Sequence, residues 1–223
     1  MNSTLALIVR YWPALLGGAL TTIELALIAW IGGLVLGTAI GVWRATRQRR
    51  AIRGGLAIGA LALSSVPVMV YLLWAHYPLQ SALGIGIPPF VTAACVFLLY
   101  NALAVAEVVR NAIEALPLSY ALAARTTGVP RGLYLRTIAI PLALRAALPS
   151  YIVSQVATLH LTLFASLISV DELFRVTQRI NAIEYDAVGI FSLLAIFYFV
   201  LSFPLLLLAR IADRRLARIG LDR

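Results

Sequence analysis

EVVRNAIEALPLSYALAARTTGVPRGLYLRTIAIPLALRAALP, running from Glu107 to Pro149, decides how this chain is read. It sets Glu107, Arg110, Glu114, Arg125, Arg131, Arg136 and Arg145 among breakers at Pro117, Gly128, Pro130, Pro141 and Pro149. Apolar runs flank it on both sides. A connection between neighbouring helices commonly needs only a few residues. One this long, patterned and partly apolar predicts a surface gripped by another molecule.

The local chemistry divides it further. Pro117 ends the helix entering from the preceding span, because the residue before proline avoids helical backbone. Ser119 is the expected N-cap of a short helix, Tyr120 to Thr127. Gly128 follows as its C′ residue, with Pro130 blocking continuation. Ala121, Ala123 and Ala124 keep this helix slim, so a partner's groove can approach it. A second helical piece, Arg131 to Ile140, leads to Pro141. A helix of this kind can dock on a protein, or rest as an amphipathic helix on lipid headgroups.

Outside this stretch the chain is lipid-compatible. It has 223 residues, 62% of them hydrophobic and 12% charged, and a mean hydropathy of +0.95. A soluble chain carries roughly a quarter charged residues. Five apolar runs approach the ~20 residues that cross a bilayer: about Leu15–Val42, Leu56–Tyr77, Phe90–Val109, Leu148–Val170 and Val188–Ile211. In the first, Gly32, Gly33, Gly37 and Gly41 have the small-xxx-small spacing of close helix contact. The expected fold is an all-α integral membrane protein of about five spans, forming one domain over 1–223 with its core at about 15–217.

The net charge of +9 does not imply nucleic acid. The basic residues, all arginine, cluster at the ends of apolar runs: Arg44, Arg47, Arg49, Arg50 and Arg53 after the first span, and Arg210, Arg214, Arg215 and Arg218 at the last. Positive-inside bias then puts the N terminus outside, the C terminus in the cytoplasm and the stretch at about 110–147 in the cytoplasm. The single cysteine, Cys95, cannot form an intrachain disulfide and is expected to be buried and inert. No metal-ligand spacing and no cofactor are expected.

Polar residues inside the spans are the other candidates. Glu24 is an ionisable group in the first span, either functional or placed near the headgroups and paired there with Arg or water. Ser154, Thr158 and Thr162 share one helix face at i, i+4, i+8, with Gln155 and Ser166 on or near it. They either bond to another helix or line a substrate passage. His160 offers an interhelical hydrogen bond or a pH-sensitive, substrate-contacting group. Asp171 and Glu172 close the fourth span as loop charges or as a docking site.

These motifs resemble the permease subunits of binding-protein-dependent ABC importers, in the polar amino acid branch that includes histidine, arginine, glutamine and opine permeases. The family's cytoplasmic signature, E-A-A, three residues, G, then about nine residues to I-x-L-P, is matched by Leu122-Ala123-Ala124, Gly128 and Ile138-Ala139-Ile140-Pro141. AEVVRNAIEALP resembles its upstream segment, and LTLFASLISVDEL, Leu161 to Leu173, resembles its K-D-T-S-L-A-S-V-I segment. LLGGALTTIELALIAWIGGLVLG resembles its first span.

The resemblance implies that Ser119, Tyr120, Leu122, Ala123, Ala124, Arg125 and Gly128 form a coupling helix that docks on a dimer of ABC ATPase subunits. It implies a second permease subunit, an extracellular or periplasmic solute-binding protein docking near Asp171 and Glu172, and a small polar amino-acid-like substrate. It places the chain in a bacterial inner membrane, among membrane lipid. Three departures stand out. Leu122 replaces the signature glutamate, Tyr120-Ala121-Leu122 replaces the usual Gln-Glu before Ala-Ala, and His160-Leu161 replaces a Lys-Asp pair. Such drift fits one half of a heterodimer.

Two other classes compete. A membrane enzyme needs a base held against a nucleophile, yet only His76 and His160 are available, with no adjoining motif. No phosphate-cradling G-x-x-x-x-G-K-[ST] loop is present, so ATP is hydrolysed elsewhere. An ion-coupled secondary transporter or channel subunit favours internal repeats and membrane-depth carboxylates, for which Glu24 and Glu107 are the candidates.

Overall fold

The computed structural model describes residues 2–46, 58–59, 62 and 65–218. The described residues are almost wholly helical. The chain runs through α1 (Asn2–Thr46), α2 (Val68–His76), α3 (Pro78–Leu83), α4 (Pro89–Glu114), α5 (Leu118–Thr126) and α6 (Arg131–Tyr134). A π turn, Leu135–Ala139, joins α6 to α7 (Ile140–Leu161), and a 3-10 segment, Thr162–Ile168, continues α7. Then follow α8 (Leu173–Glu184) and α9 (Ala187–Arg218).

Among the described residues, four segments are long and apolar enough to cross a membrane: Ile8–Thr46, Pro89–Glu114, Arg131–Ile168 and Ala187–Leu216. The expected second span lies partly outside the described residues, and α2 forms most of its described part.

Helix α1 packs along α4 more extensively than any other described pair does. Its glycines explain why. Gly32 and Gly33 lie against the Leu98 and Asn101 side chains. A methyl built on Gly37 would stand 2.6 Å from the Ala102 carbonyl oxygen, and one on Gly41 would stand 2.7 Å from that of Ala106. The missing side chains let two backbones meet, as close helix association in lipid requires. Beside this seam Leu25, Ala29, Leu72, Phe97, Ala165 and Ile168 form the apolar centre.

Two expectations need correction. The Arg131 piece does not end at Pro141. The helix passes through it because the π turn precedes it, with the Ile140 N–H donating to the Leu135 carbonyl, five residues back. Proline lacks an N–H and its ring crowds the carbonyl four residues earlier; one wide turn relieves both problems. The fourth span therefore begins near Arg131 rather than Leu148. Cys95 is exposed on the outside of α4 rather than buried. The charged segment after the fourth span forms helix α8.

Candidate functional site

Helix α5 stands between two membrane-length helices and holds its chain ends through local chemistry. Pro117, in extended backbone, is its N-cap residue. Ser119 therefore lies inside the helix and does not cap it. At the other end Gly128 adopts φ +72°, and the Gly128 and Val129 N–H groups return to the Arg125 and Ala124 carbonyls at 3.1 and 2.8 Å. This is the left-handed closure a glycine allows. Ala124 is buried against the body, 7% exposed. Ser119, Tyr120, Leu122, Ala123 and Arg125 face outward, with Leu118 71% and Leu122 49% exposed. A slim face carrying Leu118 and Leu122 beside Ser119, Tyr120 and Arg125 is thus presented to whatever lies beyond the chain. A cavity of about 360 Å³ lies behind α5, lined by Asn111, Pro117, Tyr120, Leu142, Ala146 and Ser150 among others.

Charge pairs brace the base of α5. Arg44, buried on α1, donates to Glu107 Oε1 at 2.6 Å. Arg110 bridges Glu107 at 2.9 Å and Glu114 at 2.6 Å. The polar start of the deciding stretch is therefore a tie between α1 and α4. The Arg44–Glu107 pair was not legible in the sequence, because its members are 63 residues apart.

The polar stripe of the fourth span divides. Asn101, fully buried on α4, donates to the Ala29 carbonyl at 2.8 Å and to Gln155 Oε1 at 2.9 Å. It accepts from Thr158 Oγ1 at 3.0 Å. Trp30 Nε1 donates to the Gln155 carbonyl at 2.9 Å. Gln155 and Thr158 are therefore used inside the chain, tying α1, α4 and α7 together, and do not line an open passage. The Ser154 carbonyl accepts from Thr158 Oγ1.

Thr162 is fully buried and 3.5 Å from the Tyr198 hydroxyl of α9. Ser166 Oγ returns to the Leu163 carbonyl. His160 meets Ser202 Oγ at 3.0 Å and sits edge-on to the Tyr198 ring, an interhelical contact. Glu24 is exposed, on the side of α1 turned away from the glycine seam. Asn101 was missed by sequence reading. A lone amide within the apolar run of α4 was the available signal.

We expect Asn101→Leu to lower stability by about 2 kcal/mol, since interhelical hydrogen bonds in membranes contribute up to about 1.7 kcal/mol each and the loss strands the Gln155 side chain. Melting of the detergent-solubilised chain measures this; an unchanged midpoint would refute the hub.

At the opposite end from α5, Glu172 is fully buried. It caps α8, accepting from the Phe174 and Arg175 N–H groups at 2.7 and 2.8 Å. Beside it the Leu173 N–H donates to Thr22 Oγ1 at 3.1 Å, fastening α8 to α1. Glu172 is thus an internal cap rather than a surface contact. Asp171 stays exposed, paired with Arg175 and Arg179 at 3.3 and 3.0 Å.

Burial pushes the Glu172 carboxyl up to about 7, against the lowering effect of the two backbone donors and Arg175. The native state then holds a proton that the unfolded chain releases near pH 4.5. Stability contributed by the protonated form is present below that value and is lost as pH rises through about 7. The wild-type chain should lose up to about 3 kcal/mol across this window. Glu172→Gln should flatten the profile. Melting between pH 5 and 8 checks it, and a wild-type midpoint that rises with pH would contradict it.

Residues 33–218 match the family described as binding-protein-dependent transport system inner membrane component. The chain belongs to that family.

Its relatives in the family include the L-cystine transport system permease protein TcyB of Bacillus subtilis (strain 168), 29% identical over 93% of this chain and 88% of that one. The glutamine transport system permease protein GlnP of Escherichia coli (strain K12) is 28% identical, over 92% of this chain and 95% of that one. The nopaline transport system permease protein NocM of Agrobacterium fabrum is 27% identical, over 93% and 89%.

Among solved structures, an amino acid ABC transporter crystallised with histidines superposes with a TM-score of 0.84 at 24% identity, covering 93% of this chain and 96% of that one. A subunit of the MetNI methionine ABC transporter gives 0.75 at 19%, covering 96% and 99%. The fold is therefore that of ABC importer permeases, and as an inner membrane component the chain is a multi-pass membrane protein. Among family features, the departure at Leu122 falls on the exposed face of α5, while Ala124 of the same signature faces inward.

Proposed function

We propose that this chain is one of two membrane-spanning subunits of an ATP-driven importer for polar amino acids or related zwitterions. The observation that carries the reading is α5: a short helix, slim and outward-facing, held at both ends between membrane-length helices. α5 docks in a groove of an ABC ATPase subunit. Closure of the ATPase dimer on ATP displaces α5, and the short connections at its two ends pass that displacement into α4 and, through α6 and the π turn, into α7. The spans then alternate between outward- and inward-facing states, a coupling free energy between nucleotide and substrate sites.

The end bearing α5 and the C terminus lie in the cytoplasm, as the arginine clusters favour. Asp171 lies at the outer end, where a solute-binding protein delivers substrate. The relatives' cystine, glutamine and nopaline names support an amino-acid-like cargo. Glu24, exposed on α1, meets the second permease subunit or the passage between the two, because a carboxylate facing lipid is costly. The departures at Leu122 and His160-Leu161 favour a sister permease of different sequence.

Co-expression with its ATPase and binding protein tests the reading. ATPase subunits should co-purify with the chain, and vesicles should accumulate the amino acid that the binding protein carries. Purification without any ATPase would refute the importer reading. Full transport with this chain as the sole permease would refute the heterodimer.

A further inference from the structure

Helices α7 and α9 run antiparallel. His160 meets Ser202 on one side of their contact, and Ser150 lies near Arg210 on the other. Toward the α5 end they part, leaving a cleft of about 540 Å³, a volume that suits a bound small molecule. Its lining is graded along both walls. On α9 it passes from Phe203 and Leu206 to Arg210 and Asp213, a rise of about 15 Å; on α7 Val153 faces the apolar part, and Ser150, beside Pro149, the charged part. Of these residues all but Pro149 are exposed.

Arg210 and Asp213 also belong to the first charged residues beyond the long apolar run of α9, which sets the polar end of the cleft at headgroup depth. An amphiphile lying along the cleft would therefore meet carbon below and charge above. The charge has both signs. A guanidinium offers paired donors to a phosphate, and the carboxylate three residues on accepts from an ammonium. A purely anionic headgroup would be opposed by Asp213. A quaternary ammonium has no N–H to donate.

We infer that this cleft seats the headgroup and part of one acyl chain of a phospholipid with a phosphoethanolamine headgroup, its phosphate on Arg210, its primary ammonium on Asp213, and the chain along Val153, Leu206 and Phe203. The inference does not rest on the importer reading; it needs only the membrane setting and the two walls.

Native mass spectrometry of the full-length chain, delipidated and reconstituted in nanodiscs, provides the test. The lipids are phosphatidylethanolamine, phosphatidylcholine and phosphatidylglycerol. The wild-type chain should retain phosphatidylethanolamine about tenfold over the other two, the selectivity expected of a charge-assisted hydrogen bond. Arg210→Gln should remove that retention. So should Val153→Trp, which fills the cleft without touching its charges. Asp213→Asn should lower phosphatidylethanolamine to the level of phosphatidylcholine and raise phosphatidylglycerol. These positions are exposed, so the variants should fold, and unchanged melting midpoints would verify it. Equal retention of the three lipids would overturn the inference, as would phosphatidylethanolamine retention unmoved by Arg210→Gln and Val153→Trp. Efficient cross-linking of Leu207→Cys to a second permease subunit would show a protein in the cleft and overturn it too.

Discussion

Gly37→Leu is expected to cost at least about 3 kcal/mol and to deplete the folded chain from membranes. Gly37 lies where α1 touches α4 backbone to backbone. Any Cβ there meets the Ala102 carbonyl oxygen and the Val105 Cβ, both at 2.6 Å. Neither is the mobile end of a side chain, so the helices must separate, and Gly33 and Gly41 would be drawn off their contacts with them. The separation also reaches Asn101, which bonds the Ala29 carbonyl across the same seam.

Gly17 is the control. A methyl there meets nothing within 4 Å, and alanine is a better helix former by about 1 kcal/mol, so Gly17→Ala should leave melting unchanged or slightly raised. Detergent melting of the two variants side by side decides the matter. Equal behaviour would mean that the glycine seam is not what holds α1 to α4.

Gly128→Val and Ala124→Trp are expected to cut ATP-driven uptake by about 5- to 150-fold, the range of typical coupling free energies, while the chain still inserts in the membrane. The two act differently. Gly128 has open space around it but a φ of +72°, where a β-branched residue is a strong outlier, so valine disturbs the turn that aims α5. Ala124 has ordinary helical backbone but is buried against the body, so tryptophan lifts the helix from its seat. Both displace the same surface without altering Leu122 or Arg125. ATP hydrolysis by the assembled complex should persist at its basal rate while uptake fails. Undiminished uptake in both variants would remove α5 from the coupling role.

The division between legible and hidden features follows the range of the interactions. Gly128 closed α5 as expected because a left-handed glycine acts within a turn, whereas its start fell at Pro117 rather than Ser119, because a fixed proline φ can itself open a helix. The glycine spacing of α1 marked a close contact but could not say that α4 was its partner. Pro141 misled because its effect was absorbed by a π turn, a backbone adjustment without a residue signature of its own. Glu172 misled because an acidic residue after a span suits a surface charge and a helix cap equally well, and only the packing of α8 against α1 buries it.

By itself the sequence determined a helical, multi-pass chain and the position of the short helix between its spans. Hydrophobic run length and proline or glycine backbone preference are local properties that each segment carries alone. The tertiary structure alone decided that Gln155 and Thr158 bond to Asn101, that Arg44 meets Glu107, that Glu24 turns outward and that α7 and α9 part into a graded cleft. Those depend on which faces meet across many residues of chain, where burial and hydrogen-bond geometry, rather than residue type, set each side chain's role.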